Sequence, residues 1–263
     1  MAHAARLITI PFSHYCGLAR WSLELAGIDY REEGHLPAMA MLYTKRARAT
    51  RTTPVLVTGE GEVRKSSIEI LRYADARGGL GLVPEAGPPL DACERWLDRF
   101  DRALGPATRR LAYGYLLDDV KRTKAYLRGF APRGERWLTG FGYPILRGLI
   151  RKALAIDAAS VERSRALIDE VFAEVEAALA DGRRYLVGDR LTAADLSFAA
   201  LSAPALFPEH PEDRMPKLDA LPDALLTIVR PLRERLAGRF ALRIWTGHRY
   251  PASAASAGVS KST

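Results

Sequence analysis

Residues 13–16, with the sequence Ser-His-Tyr-Cys, combine side chains that can take part in thiol chemistry. They follow a short apolar run at residues 7–11 and open a helical pattern that stops at Gly27. Backbone N–H groups at a helix start have no partner within the helix and carry partial positive charge, so they stabilise a thiolate held beside them. The pattern predicts a strand, a turn and a helix start that favours a bound sulfur anion.

A second set of polar residues lies near two later element starts. Thr53 precedes Pro54 at the head of the apolar run 54–57, and Ser66 and Ser67 open another helical pattern. A strand proline gives no ladder donor, so either this is an edge strand or the bond is cis, which exposes the backbone of the preceding residue. The serine-to-cysteine helix start upstream favours the cis bond. A serine at a helix start is a common cap, and helix starts also bind anions.

The elements that position these residues alternate between strand and helix over about the first 80 positions. The pattern predicts strands at 7–11, 30–35 and 54–57, and a partner strand that begins at Val63 after the turn at 59–61. Helices are predicted at 15–26 and 67–77, with a loop or short helix at 39–50. The order is therefore βαβαββα.

The rest of the chain has a helical pattern. Residues 81–89 are rich in glycine and proline and are predicted to be a linker, followed by helices from Leu90 to about Trp245. Ser160 is the predicted cap of one of these helices. Thr192 with Asp195 forms a capping-box pattern ahead of a run of small residues that suits a central packed helix.

Composition is typical of a globular enzyme in a reducing compartment. The chain has 263 residues, of which 48% are hydrophobic, enough for a substantial core. Its two cysteines, Cys16 and Cys93, fit neither a disulfide framework nor a structural zinc site, and we predict no metal. No apolar run approaches the length of a membrane span, and the N-terminus does not resemble a signal peptide. We therefore predict a cytoplasmic protein.

The formal net charge is +8, with 39 basic and 31 acidic residues. The positive charges are interpreted as dispersed among nearly as many acids, and no zinc-finger spacing, RNA-binding motif or basic zipper accompanies them. We predict no nucleic-acid partner. The basic residues would instead favour an anionic small ligand.

Together these patterns resemble the cytosolic glutathione transferase superfamily. Residues 13–20, Ser-His-Tyr-Cys-Gly-Leu-Ala-Arg, resemble the opening of its serine-dependent members, and the first four also resemble the Cys-Pro-Tyr-Cys of glutaredoxins with serine in place of the first cysteine. Residues 66–73 resemble the family's pattern at the third helix, and residues 185–196 resemble its C-domain signature.

The resemblance implies a thioredoxin-like βαβαββα N-terminal domain followed by an all-helical bundle. The expected boundaries are residues 5–80 for the glutathione-binding domain, 81–89 for the linker, 90–248 for the helical domain and 249–263 for a disordered tail. Homodimerisation is a habit of the family and is expected for that reason alone.

The resemblance also implies a chemistry and a ligand. Glutathione would be the co-substrate, and Ser13 would hydrogen-bond to its thiolate for attack on a small hydrophobic electrophile. Thr53 and Pro54 would hold the cysteinyl part, and Ser67 with its helix start would hold the γ-glutamyl carboxylate. The family usually carries an acid where this chain has Ser66. That departure leaves open a non-catalytic binding or scaffold protein with weakened glutathione binding.

Other roles remain open for the residues around Ser13. Ser13 could be only a helix cap, and Cys16 could be the thiol of a glutathione-dependent oxidoreductase, although its position three residues on favours a shielded structural group. His14 could act as a proton shuttle, since histidine titrates near pH 6.5, or could occupy the pocket edge. Arg20 is expected to form a structural ion pair.

The segment 113–154 mixes aromatic and basic residues and is broken by prolines and glycines. We interpret it as an elaborated pair of helices that forms or covers the electrophile pocket. The alternative is an amphipathic surface that contacts an anionic membrane.

Overall fold

A computed structural model of the protein describes residues 4–49, 52–210 and 214–249. Its N-terminal unit is a four-stranded sheet with the strand order β2-β1-β3-β4, covered by helices. The elements of this unit are β1 (Ala5–Thr9), α1 (His14–Leu25), β2 (Tyr30–Gly34), α2 (Pro37–Arg46), β3 (Val55–Val57), β4 (Val63–Arg64) and α3 (Ser67–Gly78).

Strand β1 is central and its apolar residues, such as Leu7 and Ile8, are buried. It pairs in parallel with β2, and antiparallel with β3, where Ile8 lies opposite Val55. Strand β4 is antiparallel to β3, so β1 and β4 run in the same direction. The helices that follow β1 and β4 therefore begin at the same edge of the sheet as the start of β3.

The C-terminal unit consists of helices. They are α4 (Gly87–Arg99), α5 (Gly105–Leu116), α6 (Val120–Phe130), α7 (Tyr143–Ala153), α8 (Ala158–Ala178), α9 (Ala193–Leu206), α10 (Asp223–Glu234) and α11 (Leu236–His248). A π-helical turn, Phe100–Leu104, joins α4 to α5, and 3₁₀ turns lie at Arg133–Thr139 and Leu218–Ala220. Every residue of α9 is buried, because its run of small residues lets α1, α4, α5, α10 and α11 pack around it.

The two units share one hydrophobic core. Leu18 and Trp21 of α1 and Leu71 of α3 lie in the same cluster as the buried residues of α9. The Trp21 ring packs edge-on against Trp245 at 5.3 Å between centroids, and its Nε1 donates to the carbonyl of His248 at 3.0 Å. The N-terminal unit therefore contributes side chains to the interior of the helical unit.

The predicted capping box at the start of α9 is confirmed. The Asp195 carboxylate accepts from the Thr192 amide at 2.7 Å, from the Thr192 hydroxyl at 2.7 Å and from the Leu186 amide at 2.8 Å. Asp195 is fully buried, and this burial raises its pKa.

The predicted cap of α8 is wrong in position. Asp157 is the N-cap, and its carboxylate accepts from the Ser160 amide at 2.7 Å. Ser160 lies inside the first turn and returns a bond, with its hydroxyl accepting from the Asp157 amide at 3.0 Å. Aspartate and serine are both good N-cap residues, so the sequence allows the helix to start at Asp157 or three positions later at Ser160.

The predicted order of elements in the N-terminal unit is confirmed, with shifted ends. Strand β1 lies two residues earlier than expected, because Pro11 belongs to the turn that follows it. Helix α4 begins at Gly87, so the last three residues assigned to the 81–89 linker are helical, with prolines in the first turn, where their missing N–H costs nothing. The tail expected to be disordered lies outside the described residues beyond Arg249. Within the described ranges, none of the helices is long and apolar enough to cross a bilayer.

The helix pair α6 and α7, with the turn between them, packs over the N-terminal unit. Its buried residues share a cluster with Phe12 and Leu36. Glu135, in the connecting turn, is buried; its carboxylate accepts from the Leu36 amide at 2.7 Å and lies 2.6 Å from Nδ1 of His35. Leu36 precedes α2 and has no side chain that can cap it. Glu135 therefore supplies, from 99 positions along the chain, the carboxylate that the start of α2 lacks.

Candidate functional site

The candidate site lies at the sheet edge where α1, α3 and β3 begin. Ser13 is the N-cap of α1 with an extended backbone, and its Oγ accepts from the Cys16 amide at 3.5 Å. This is a long, weak cap, and the Ser13 side chain is only half-buried. Because the oxygen accepts this bond, its O–H proton is available to a group outside the helix.

Cys16 lies behind this turn and has no exposed surface. Burial raises the pKa of the thiol, and the opposing effects of Arg20 and of hydrogen bonds from the Ser13 and Thr53 side chains are smaller. A buried thiol with a raised pKa stays protonated and is a poor nucleophile. This placement supports the interpretation of Cys16 as a shielded structural residue.

Thr53 and Pro54 lie beside Ser13, as the sheet topology requires. The Thr53–Pro54 bond is cis, as the sequence analysis favoured, and Pro54 is buried at the head of β3. The contact of the Thr53 side chain with Cys16 shows that this loop and the start of α1 touch. Residues 13–16 and 53–54 are therefore brought together.

Ser66 and Ser67 have different roles at the start of α3. Ser66 is the N-cap, with its Oγ accepting from the Glu69 amide at 3.1 Å. Ser67 is 1% exposed, and its Oγ has no hydrogen-bond partner among the described residues. A buried hydroxyl without a partner is costly, so a ligand that completes it would be stabilised there.

His14 is buried and lies against the start of α5. Its Nε2 is 3.0 Å from the carbonyl of Gly105, so this nitrogen carries the proton and donates. Burial, assisted by the nearby charge of Arg109, lowers the pKa of His14 to about 3. A histidine that is neutral throughout the physiological range does not serve as a shuttle near pH 6.5, so the geometry favours a structural role.

The lowered pKa of His14 predicts a specific pH dependence of stability. Below pH 6.5 the unfolded chain binds a proton at this position that the folded protein does not, so the free energy of unfolding falls as the pH falls. We expect the loss from His14 to reach about 2 kcal/mol at pH 5. Urea denaturation from pH 7.5 to 4.5 should show a shallower pH dependence for His14→Gln than for the wild-type protein. His248→Gln is the comparison: burial also lowers the pKa of His248, but this residue is partly exposed, so a smaller change in slope is expected. An equal change for the two variants would contradict the assignment.

One face of α5 adds Gly105 and Arg109, which sequence reasoning missed, and Tyr113, the first residue of the segment 113–154. The Tyr15 ring packs so closely on Gly105 that a Cβ there would overlap its hydroxyl and ring. The Arg109 guanidinium lies 5.8 Å from the centre of the Tyr15 ring. Spacing of four in a predicted helix places these three residues on one face, which is the signal that could have found them.

Arg109 is an uncompensated cation at this face. Its Nε is buried without a hydrogen-bond partner among the described residues, and the guanidinium contacts the Tyr15 ring rather than a carboxylate. Burial raises the pKa of Tyr113 to about 12, while the Arg109 charge acts in the opposite direction. The site therefore has a positive charge and a neutral phenol opposite the Ser13 turn.

The predicted ion pair of Arg20 is confirmed and fixes the turn before Ser13. Arg20 donates to Glu32 of β2 at 3.0 Å and to the carbonyl of Pro11 at 2.9 Å. Arg214 also binds Glu32, through both carboxylate oxygens. Burial alone would raise the pKa of Glu32, but the two guanidinium groups outweigh it and hold the pKa below its usual range. Among the residues that the structure describes, no cluster of three acidic, histidine or cysteine side chains could hold a metal.

Comparison with protein-family models identifies both units. The model described as Glutathione S-transferase, N-terminal domain, matches residues 7–81, and the model described as Glutathione S-transferase, C-terminal domain, matches residues 158–221. No curated protein sequence matched the chain.

Solved structures of similar fold cover nearly the whole chain. A glutathione S-transferase of Ceriporiopsis subvermispora in complex with glutathione is 17% identical, with a TM-score of 0.62, over 95% of this chain and 98% of that one. A theta class glutathione S-transferase of Xanthomonas axonopodis pv. citri with glutathione bound is 22% identical, with a TM-score of 0.55, over 91% and 96%. At these identities the likeness establishes the fold, and the predicted thioredoxin-like and helical units are confirmed.

Proposed function

Because this chain belongs to the glutathione transferase superfamily, we propose that it activates the thiol of glutathione for attack on a small hydrophobic electrophile. The observation that carries the proposal is the convergence of Ser13, Thr53 and Ser67 at one sheet edge, with the Ser67 hydroxyl buried and without a partner. A polar group left in this state at a helix start suits a carboxylate ligand.

In the proposed chemistry Ser13 donates a hydrogen bond to the glutathione thiolate. A free thiol has a pKa of about 8.5 and is mostly protonated at neutral pH, so turnover requires its conversion to the thiolate. The Ser13 O–H and the partial positive charge at the start of α1 both favour the anion. The thiolate attacks the electrophile, and the new carbon–sulfur bond forms as a leaving group departs or a double bond accepts the electron pair.

Glutathione would be held by the neighbouring element starts. The γ-glutamyl carboxylate would accept hydrogen bonds from the Ser67 hydroxyl and from the amides at the start of α3. The backbone of Thr53, ahead of Pro54, would pair with the cysteinyl part. Ser66 is occupied as the helix cap and offers no negative charge to the γ-glutamyl ammonium, so we expect weaker binding than an acid there would give.

Arg109 and Tyr113 on α5 are proposed to face the electrophile, since they lie opposite the Ser13 turn and neither is needed to hold glutathione. The buried, protonated Cys16 gives no support to thiol oxidoreductase chemistry. Action in the cytoplasm as a homodimer remains part of the proposal, on the strength of the family resemblance.

Isothermal titration calorimetry with glutathione tests the proposal directly. We expect a Kd between micromolar and low millimolar for the wild-type protein and a Kd about tenfold higher for Ser67→Ala, because one hydrogen bond to a charged group is lost. Ser197→Ala is the matched control, since Ser197 in α9 is also a buried hydroxyl without a partner among the described residues.

The absence of binding by the wild-type protein at several millimolar glutathione would contradict the proposal and favour the scaffold alternative. Equal weakening in Ser67→Ala and Ser197→Ala would remove Ser67 from the ligand site.

A further inference from the structure

Four large apolar side chains form an exposed ridge on α7 and the turn before it. Their exposed fractions are 46% for Trp137, 83% for Phe141, 68% for Ile145 and 52% for Leu149. The Trp137 and Phe141 rings stack with 5.6 Å between centroids, and Ile145 and Leu149 lie one helical turn apart. The four side chains therefore form one continuous apolar surface rather than separate exposed residues.

The packing of α7 does not explain this ridge. The inner face of α7, with Tyr143, Leu146 and Ile150, already fills the cluster above Phe12. The outer apolar residues add nothing to that core and cost solubility. Helix α2, which packs against α7, exposes Met41 and Leu42 as well, at 44% and 50%.

The charge of the chain is concentrated around the ridge. Residues 120–153 contain nine Lys and Arg and one acid, which leaves thirty basic and thirty acidic residues in the remainder. The one acid, Glu135, is buried against His35. Just before this segment, Asp118 pairs with Arg147 and Arg151, and Asp119 pairs with Arg122. The exposed Arg133, Arg136 and Lys152 form no ion pair within the described part of the chain. Even with Asp118 and Asp119 counted, residues 118–153 carry a net charge of +6 of the chain's +8, so most of the positive charge is local rather than dispersed.

We propose that this ridge docks on the surface of an anionic phospholipid bilayer. Aromatic and aliphatic side chains that project outward enter the headgroup boundary, while the surrounding cations bind anionic lipids. A second copy of this chain is a poor occupant, because it would bring an equally positive surface against this one. The inner face of the same helices packs on Phe12, the residue before Ser13, so docking would present the site near the membrane. The proposal does not depend on glutathione binding.

Co-sedimentation with lipid vesicles tests the proposal on the full-length protein. We expect binding to vesicles of phosphatidylcholine mixed with phosphatidylglycerol, little binding to phosphatidylcholine alone, and weaker binding at higher salt. Phe141→Asp and Ile145→Asp should each reduce the bound fraction about tenfold. Leu236→Asp is the matched control, because Leu236 is a large apolar residue 41% exposed on α11, outside the ridge.

Circular dichroism and the unfolding midpoint verify that each variant is folded. The combined variant Arg133→Gln, Arg136→Gln, Lys152→Gln leaves the ridge unchanged and should lower the fraction bound to anionic vesicles, and unchanged binding would overturn the proposal. The proposal is overturned if the wild-type protein does not bind anionic vesicles, or if Leu236→Asp weakens binding as much as Phe141→Asp. Retention of the wild-type protein on polyglutamate but not on vesicles, with Phe141→Asp unaffected, would point to an acidic protein partner and also overturn it.

Discussion

Replacement of Ser13 by alanine is expected to lower kcat/KM for glutathione conjugation roughly a hundredfold, which is the usual cost of losing one donor to a reacting anion. Affinity for glutathione should stay within a few-fold, because the γ-glutamyl and cysteinyl contacts proposed for Ser67 and Thr53 are separate. The cap that Ser13 gives α1 is long, at 3.5 Å, so little stability should be lost with it.

The thiolate itself provides the decisive measurement. The pKa of bound glutathione, followed by the ultraviolet absorbance of its thiolate, should rise by about one unit or more in Ser13→Ala, where one unit corresponds to about 1.4 kcal/mol. Cys16→Ser is the control and should change turnover little. Unchanged turnover in Ser13→Ala would exclude the proposed role, and complete loss in Cys16→Ser would instead favour thiol chemistry at that residue.

Replacement of Asp195 by alanine is expected to lower the free energy of unfolding by about 4 kcal/mol. The Asp195 carboxylate accepts three hydrogen bonds, two of them from Thr192 and one from the Leu186 amide. All of these groups are buried, so water cannot replace the lost acceptor. Asp195 lies at the start of α9, the central helix of the bundle. Destabilisation of α9 would therefore weaken its packing against the surrounding helices.

Urea denaturation at neutral pH measures this loss, and Asp157→Ala gives the comparison. Asp157 caps α8 in the same reciprocal way but is exposed, so water can replace its carboxylate and a smaller loss is expected. Similar losses in the two variants would show that burial is not what makes Asp195 important.

The order of elements and the place of the site could be predicted from local patterns. Strand and helix periods are short-range, and the serine ahead of a helical pattern at Ser13 and Ser66 marks where each helix begins. The strand topology then places the starts of α1, α3 and β3 at one edge of the sheet, independently of the conformation of the loops. The capping box formed by Thr192 and Asp195 could also be predicted, because both partners lie within four residues of each other.

The features that could not be predicted depend on residues far apart in the chain. Nothing near Leu36 indicates that Glu135 caps α2, and nothing near Tyr15 indicates that Gly105 must lack a side chain. The burial of His14, which determines what this residue can do, arises only when α5 packs against the start of α1. The excess of basic residues at positions 120–153 is present in the sequence, but a net charge taken over the whole chain does not show where it lies.

The link between Glu135 and Leu36 bears on how such a chain could be divided or recombined. A break in the short connection before α4 would leave the start of α2 without its carboxylate and would remove the helical partners of Leu18 and Trp21. We therefore expect the first 80 residues, although a unit of architecture, not to fold stably on their own. Exchange of the α6–α7 pair between relatives would require a compensating change at the start of α2, so these two segments should be inherited together.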